Sequence, residues 1–289
     1  MDNFNDLLPK VHFEQIQIKN LIPQVGYQRV LSKAHVKKTA ENFNPYQINP
    51  VKVSRREGKN YVVNGQHTIE VIALVSGSRE TSVWCMVYDN LTYEEEAEIF
   101  ATQQKYTRYL SSYDIFNAEI EAGNEEASII KSVVESYNLT ISSNQIPGAI
   151  CAIATLESIY ESYGYAILDA TLGLCIATWQ GEKNSLSSYI LKAVALLLVA
   201  FRGEIKETLF KEKLQFTPII QISRSAKLLQ ERSNRKGYGY ALAMLNIYNS
   251  RLSNPLDATK LFTCRKLKKS KYSKVQFYDK ASEYEYDYE

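Results

Sequence analysis

The chain has 289 residues, enough for two modest domains that each bury a core. Hydrophobic residues at 45% and charged residues at 23% are globular proportions, which exclude a wholly disordered chain. A formal net charge of +2 excludes a global basic field, so any contact with nucleic acid must be local.

Apolar residues alternate from Glu14 to Ile22 and stop at Pro23, which predicts a short strand. After Gly26-Tyr27-Gln28-Arg29, the segment Ser32–Asn42 reads as a helix. Val36, Ala40 and Phe43 face inward and Lys33, Lys37 and Lys38 face solvent. Val51 and Val53 alternate with Lys52, Arg55–Gly58 forms a turn, and Tyr61-Val62-Val63 returns as a hairpin. Asn64-Gly65 ends that strand. A helix follows over Gln66–Val75 with Ile69, Ile72 and Ala73 on one face and Ser76-Gly77 as its stop. Val83–Tyr88 is a further apolar strand.

Thr92 and Glu95 form a capping box, and the helix they open should bury Ala97, Phe100 and Ala101. Ser111–Asp114 starts another helix, with Ile115, Ala118 and Ala122 inside and Gly123 as its stop. The next carries Ala127, Ile130, Val134 and Tyr137. Beyond Ser142–Pro147 the pattern holds no strand, only helix-length apolar segments broken at Gly164, Gly181, Gly203, Pro218 and Gly237. This predicts a domain of five or six helices. A basic run, Arg265-Lys266-Leu267-Lys268-Lys269-Ser270-Lys271, precedes an acidic end, Glu283–Glu289. Such opposed charge blocks predict a mobile tail. The domains are therefore 1–141, 142–262 and a tail over 263–289.

Cys85, Cys151, Cys175 and Cys264 form no C-x-x-C pair, and the first three lie in apolar patterns, so buried reduced thiols are expected and no metal site. Met1–Pro9 lacks the basic start and apolar run of a secretory leader. The longest apolar stretch, Ile190–Phe201, contains Lys192 and is too short to span a bilayer. A cytoplasmic protein without membrane contact is the expectation. The 21 tyrosines serve either packing or base stacking.

The order strand, helix, hairpin, helix, strand resembles the amino-terminal domain of the ParB/sulfiredoxin superfamily. Tyr27-Gln28-Arg29 stands at that family's first basic motif, and Pro50-Val51-Lys52-Val53 matches its P-I-x-V strand. Tyr61–Val71 aligns with the signature written GERRxRA in partition proteins and DGQHR in a broader branch. Gln103–Arg108 falls at a second nucleotide-contacting motif. The resemblance covers residues 14–137 and is nearest to a DGQHR-like, phage- and mobile-element-associated branch with a helical carboxy-terminal half. It implies an α+β protein: a ParB-like α/β domain with a small mixed sheet, followed by an all-helical domain.

A strand ending in Asn-Gly and feeding a helix leaves backbone N–H groups at the helix start, aimed at an anion. The candidate phosphate-binding residues are Arg29, Asn64, Gly65, Gln66, His67, Thr68, Lys105 and Arg108, and the implied ligand is a ribonucleoside triphosphate with Mg2+. Gln66, His67 and Thr68 occupy the positions where partition proteins that bind cytidine triphosphate carry adjacent arginines, so two guanidinium forks are absent. The sulfiredoxin cysteine is also missing from the loop, and sulfinic-acid reduction is not implied.

The implied function is a DNA-associated regulatory or partition-like protein, non-catalytic, with DNA contacts from Arg265, Lys266, Lys268, Lys269 and Lys271. The basic face of Phe216–Glu231, followed by Asn234-Arg235-Lys236, is a further DNA candidate. One alternative is a nuclease or nucleoside triphosphatase using His67 as general acid or base, with Glu70 or Glu95 near a metal. Another is a mobile-element factor that binds a host protein. A homodimer is compatible with each.

Overall fold

A computed structural model of the chain describes residues 11–24, 26–103, 105, 109–182, 184–230 and 238–263 in full, and residues 231–233 by backbone alone. The charged tail, with all five of its DNA candidates, lies outside the described residues, as do Arg108 and Asn234-Arg235-Lys236. The architecture is α+β. The chain divides into two compact units, Met1–Tyr109 and Leu110–Glu289.

The first unit is built on a five-stranded mixed sheet of order β1-β5-β3-β4-β2. Its strands are β1 (Val11–Gln17), β2 (Leu21–Pro23), β3 (Val51–Arg56), β4 (Lys59–Asn64) and β5 (Ser82–Asp89). The single strand expected over 14–22 is two strands, because a 3-10 turn at Ile18–Asn20 separates them. β1 then pairs antiparallel with β5, while β2 pairs parallel with β4 at the opposite edge. The β3–β4 hairpin turns on Glu57 and Gly58, both at positive φ, which matches the twist that joins antiparallel strands.

Helix α1 (Lys33–Glu41) is capped by Ser32 and α3 (Tyr93–Thr102) by Thr92, whose capping box with Glu95 is complete. Between them runs α2 (Gln66–Ser76). Ile69 joins Ile16, Ile18, Val51, Val53, Val62, Val83, Cys85 and Val87 in one core, with Ile72 and Ala73 packed beside it. The stripe expected for α3 is corrected. Its buried residue is Glu96, with no exposed surface, while Ala97 and Phe100 are half-buried and Ala101 is exposed.

The second unit has helices α4 (Ser112–Glu121), α5 (Glu125–Ser136), α6 (Ile153–Tyr163), α7 (Tyr165–Trp179), α8 (Ser188–Ala200), α9 (Glu207–Leu214), α10 (Ile219–Ser233), α11 (Gly239–Asn249) and the single turn α12 (Lys260–Thr263). A two-residue parallel ladder, β6 (Thr140–Ile141) with β7 (Ala149–Ile150), was not anticipated, since two residues are too few to show a period. The sequence reading groups α4 and α5 with the amino-terminal domain. In the structure Phe116, Ala127, Ile130, Val133 and Val134 share one core with α6, α7, α8 and α11. The face expected for α4 is rotated: Phe116 is buried, whereas Ile115, Ala118 and Ala122 are exposed. Phe116 at the centre of a ten-residue helix outweighs three smaller side chains in setting which face turns inward.

Helices α7 and α8 are apolar around most of their circumference, as befits helices surrounded by others. At the α10–α11 crossing, a Cβ added to Gly239 would lie 2.3 Å from the carbonyl oxygen of Ala226, so only glycine permits that approach. Cys85 and Cys175 are buried, but Cys151 is exposed, because it precedes α6 instead of lying within its buried face. Among the described residues, no helix is long and apolar enough to cross a membrane.

Candidate functional site

The loop joining β4 to α2 is shaped by Gly65, the N-cap of α2, at φ 108 and ψ 14. A Cβ at this position would meet the backbone and side chain of Val51 at 3.2–3.3 Å. Glycine is therefore required both by its dihedrals and by the strand behind it. Having no side chain, Gly65 cannot cap the helix, and among the described residues no other side chain does so. Ile69 donates back to the Gly65 carbonyl, which leaves the amides of Gln66, His67 and Thr68 in a first turn without helical acceptors. The helices on either side, α1 and α3, satisfy their own first turns through Ser32 and Thr92.

Three tethers hold this loop. Asn64 Nδ2 donates to Gln103 Oε1 at 3.0 Å, tying the end of β4 to the end of α3. Gln28 Nε2 donates to the carbonyls of Val62 and Val63, at 2.5 and 3.3 Å, from the chain that follows β2. The backbone N–H of Ser32 donates to His67 Nε2 at 3.1 Å, with the His35 ring edge-on to that of His67 at 5.4 Å. A ring that accepts at Nε2 is neutral and carries its proton on Nδ1. Burial lowers the His67 pKa below its ordinary value, and the Arg29 guanidinium and His35 lower it further. Arg29 is thus near enough to His67 to act on its charge. It is exposed and, among the described residues, makes no ion pair.

Asn64, Gly65, Gln66, His67 and Thr68 run consecutively from the end of β4 into the first turn of α2, and Arg29 acts on His67 through its charge. Lys105 follows Gln103 by two residues, its amide bonded to the Thr102 carbonyl, so the loop's tether to Gln103 lies close to it in the chain. The groups a hydrolase would use are engaged elsewhere. Glu70 holds Arg79 in a two-bond pair at 3.0 and 3.1 Å, Glu95 closes the capping box, and His67 Nε2 is occupied by Ser32. Among the described residues, no cluster of three His, Cys, Asp or Glu side chains is placed to hold a metal.

Sequence reasoning missed the support beneath this loop. Glu96 accepts from Arg56 Nε at 2.7 Å and from the Tyr27 hydroxyl at 3.2 Å, which anchors α3 over the sheet. Arg56 also lies over the Tyr61 ring, 4.0 Å from its centroid. Burial and the neighbouring Glu96 carboxylate push the Tyr27 phenol well above its ordinary range. Tyr27 belongs to the Tyr27-Gln28-Arg29 motif, but in a run of three glutamates nothing local distinguishes the buried one. A separate cavity of about 440 Å³, lined by Leu31, Val36, Ala73, Leu74 and the Glu70–Arg79 pair, lies along α1 and α2 and does not include the loop.

Fold and site together define a mixed-sheet α/β unit with an open helix start, accompanied by a helical unit. Residues 22–256 match the family described as "Family of unknown function (DUF6551)", and the chain belongs to that family. No curated protein matches it. Among solved structures it is similar to the C-terminally truncated chromosome-partitioning protein ParB from Caulobacter crescentus complexed with CTP-gamma-S. That likeness has 13% identity and a TM-score of 0.33, covering 80% of this chain and 92% of that one.

Proposed function

We propose that the chain is a DNA-associated regulatory protein whose amino-terminal unit binds a nucleoside triphosphate as a switch. The observation that carries this is the start of α2, which no side chain among the described residues caps, with Arg29 close enough to act on the charge of His67. Backbone N–H groups, the positive end of a helix dipole and a nearby guanidinium are what a phosphate chain needs. The sequence resemblance of residues 14–137 to ParB-type domains supports the same ligand class. The donors fit phosphate oxygens. A magnesium ion bound with the nucleotide would neutralise phosphate charge while being held by the phosphates and water, since Glu70 and Glu95 have other partners.

DNA contact is assigned to the second unit. On α10, Ile219, Ile222 and Ala226 are buried, while Gln221, Arg224 and Lys227 are exposed beside Ile220 and Leu228. That outer face holds two cations within one turn, suited to adjacent phosphates, and its affinity should fall steeply with salt.

Titration calorimetry with ATP, CTP, GTP and UTP in magnesium tests the switch. Selective binding of one nucleotide, weakened about tenfold by Arg29→Ala, is the expected result. Absence of binding by all four at millimolar ligand contradicts it.

A further inference from the structure

Helices α8 and α11 pack against each other in the second unit, and each has a tyrosine at its second position, Tyr189 and Tyr240. The two rings stack with centroids 5.2 Å apart and planes 12° from parallel. The ring pairs Tyr27–Tyr93, Tyr27–Phe100, Trp179–Phe210, Phe210–Tyr248 and Tyr238–Phe262 are by contrast tilted or edge-on. Tyr240 is half-buried, whereas Tyr189 is 64% exposed. One face of the Tyr189 ring is therefore supported by Tyr240 and the other is turned to solvent.

The stack marks the place where two helices begin. Among the described residues neither start is capped by a side chain, so the first-turn N–H groups of both α8 and α11 add positive potential around the rings. Lys192 is exposed three residues beyond Tyr189, on the same side of α8, and among the described residues it makes no ion pair. An open aromatic face with positive charge at its edge matches a flat ring attached to an anion. Neutral rings such as sugars would leave the charge unused.

We propose that this platform takes an unpaired base of single-stranded nucleic acid, stacked on Tyr189 with its phosphate toward Lys192 and the two helix starts. A duplex hides the faces of its bases, so the site selects a strand whose bases are free. This goes beyond the duplex contact assigned to α10, because it uses different residues and a different state of the nucleic acid.

The test is fluorescence anisotropy with a labelled oligothymidine, its RNA counterpart and a duplex, using the full chain. Tyr189→Ala should weaken single-strand binding about tenfold, and Tyr189→Phe, which keeps the ring, should bind like the parent. Lys192→Glu leaves the stack intact and should weaken it as well. Duplex binding should be unchanged by all three and should fall in Arg224→Ala/Lys227→Ala, so the two sites fail separately. The proposal is overturned if Tyr189→Ala and Lys192→Glu bind the strand like the parent, or if the parent binds it more weakly than about 100 µM at low salt.

Discussion

The backbone N–H of Ser32 donates to Nε2 of His67 at 3.1 Å, so a neutral imidazole joins the cap of α1 to the first turn of α2. The same Ser32 accepts from the His35 amide through its hydroxyl, at 3.3 Å. Protonating His67 removes the acceptor and sets a cation against Arg29. Because folding lowers the His67 pKa below its ordinary 6.5, the folded state holds fewer protons in that range. The stabilisation is complete above about pH 6.5 and is lost as pH falls through the folded value. Urea unfolding from about pH 7 to pH 5 should show the first unit weakening with acid. His67→Gln, a neutral acceptor that does not titrate, should flatten that slope; equal slopes in the two proteins would contradict the assignment.

Gly65→Ala should destabilise the first unit by about 2 kcal/mol, from the positive φ and the approach to Val51 together. Gly77→Ala is the comparator, at φ 69 with nothing within 4 Å of its added Cβ, and should cost about 1 kcal/mol. Thermal melts of the two variants give the comparison directly. Equal losses would show that the Val51 contact is slack.

Glu96→Gln should lower stability by about 2 kcal/mol, since it keeps the size and an acceptor for Tyr27 but removes the charge that Arg56 binds. Arg56→Ala should cost more, because it strands a fully buried carboxylate. Chemical denaturation of both variants measures the order, and the reverse order would place the burden on Arg56.

Cys151 is exposed while Cys85 and Cys175 are buried, so a thiol reagent should modify the native protein at Cys151 and spare the other two. Burial pushes the Cys85 thiol up to about 11 and the Cys175 thiol higher still, which withholds the reactive thiolate as well as access. Peptide mapping in a Cys264→Ser background reads the result. Native labelling of Cys175 at the rate of Cys151 would contradict the burial.

Much of the first unit is legible in the sequence because short signals there are strong. Asn64-Gly65 before an apolar helical pattern, the Thr92–Glu95 box and the charged hairpin turn at Arg55–Gly58 each act through local chemistry. What failed depends on contacts made at long range. Glu96 lies in a run of glutamates, and Arg56 and Tyr27, 40 and 69 residues away, make it an interior residue. Likewise the bond from Ser32 to His67 joins residues 35 apart in the chain, and no local pattern marks it. In α4, alternative inward faces differ little in local pattern, and the second unit's core decides for Phe116.

The central claim is that the open first turn of α2 receives the phosphates of a nucleotide. Its most direct test is the amide spectrum of the 15N-labelled chain during titration with the four ribonucleoside triphosphates and magnesium. The amides of Gln66, His67 and Thr68 should move first and most, and Arg29→Ala should suppress the movement. Saturating binding that leaves those three amides in place, or no binding at millimolar ligand, would contradict it.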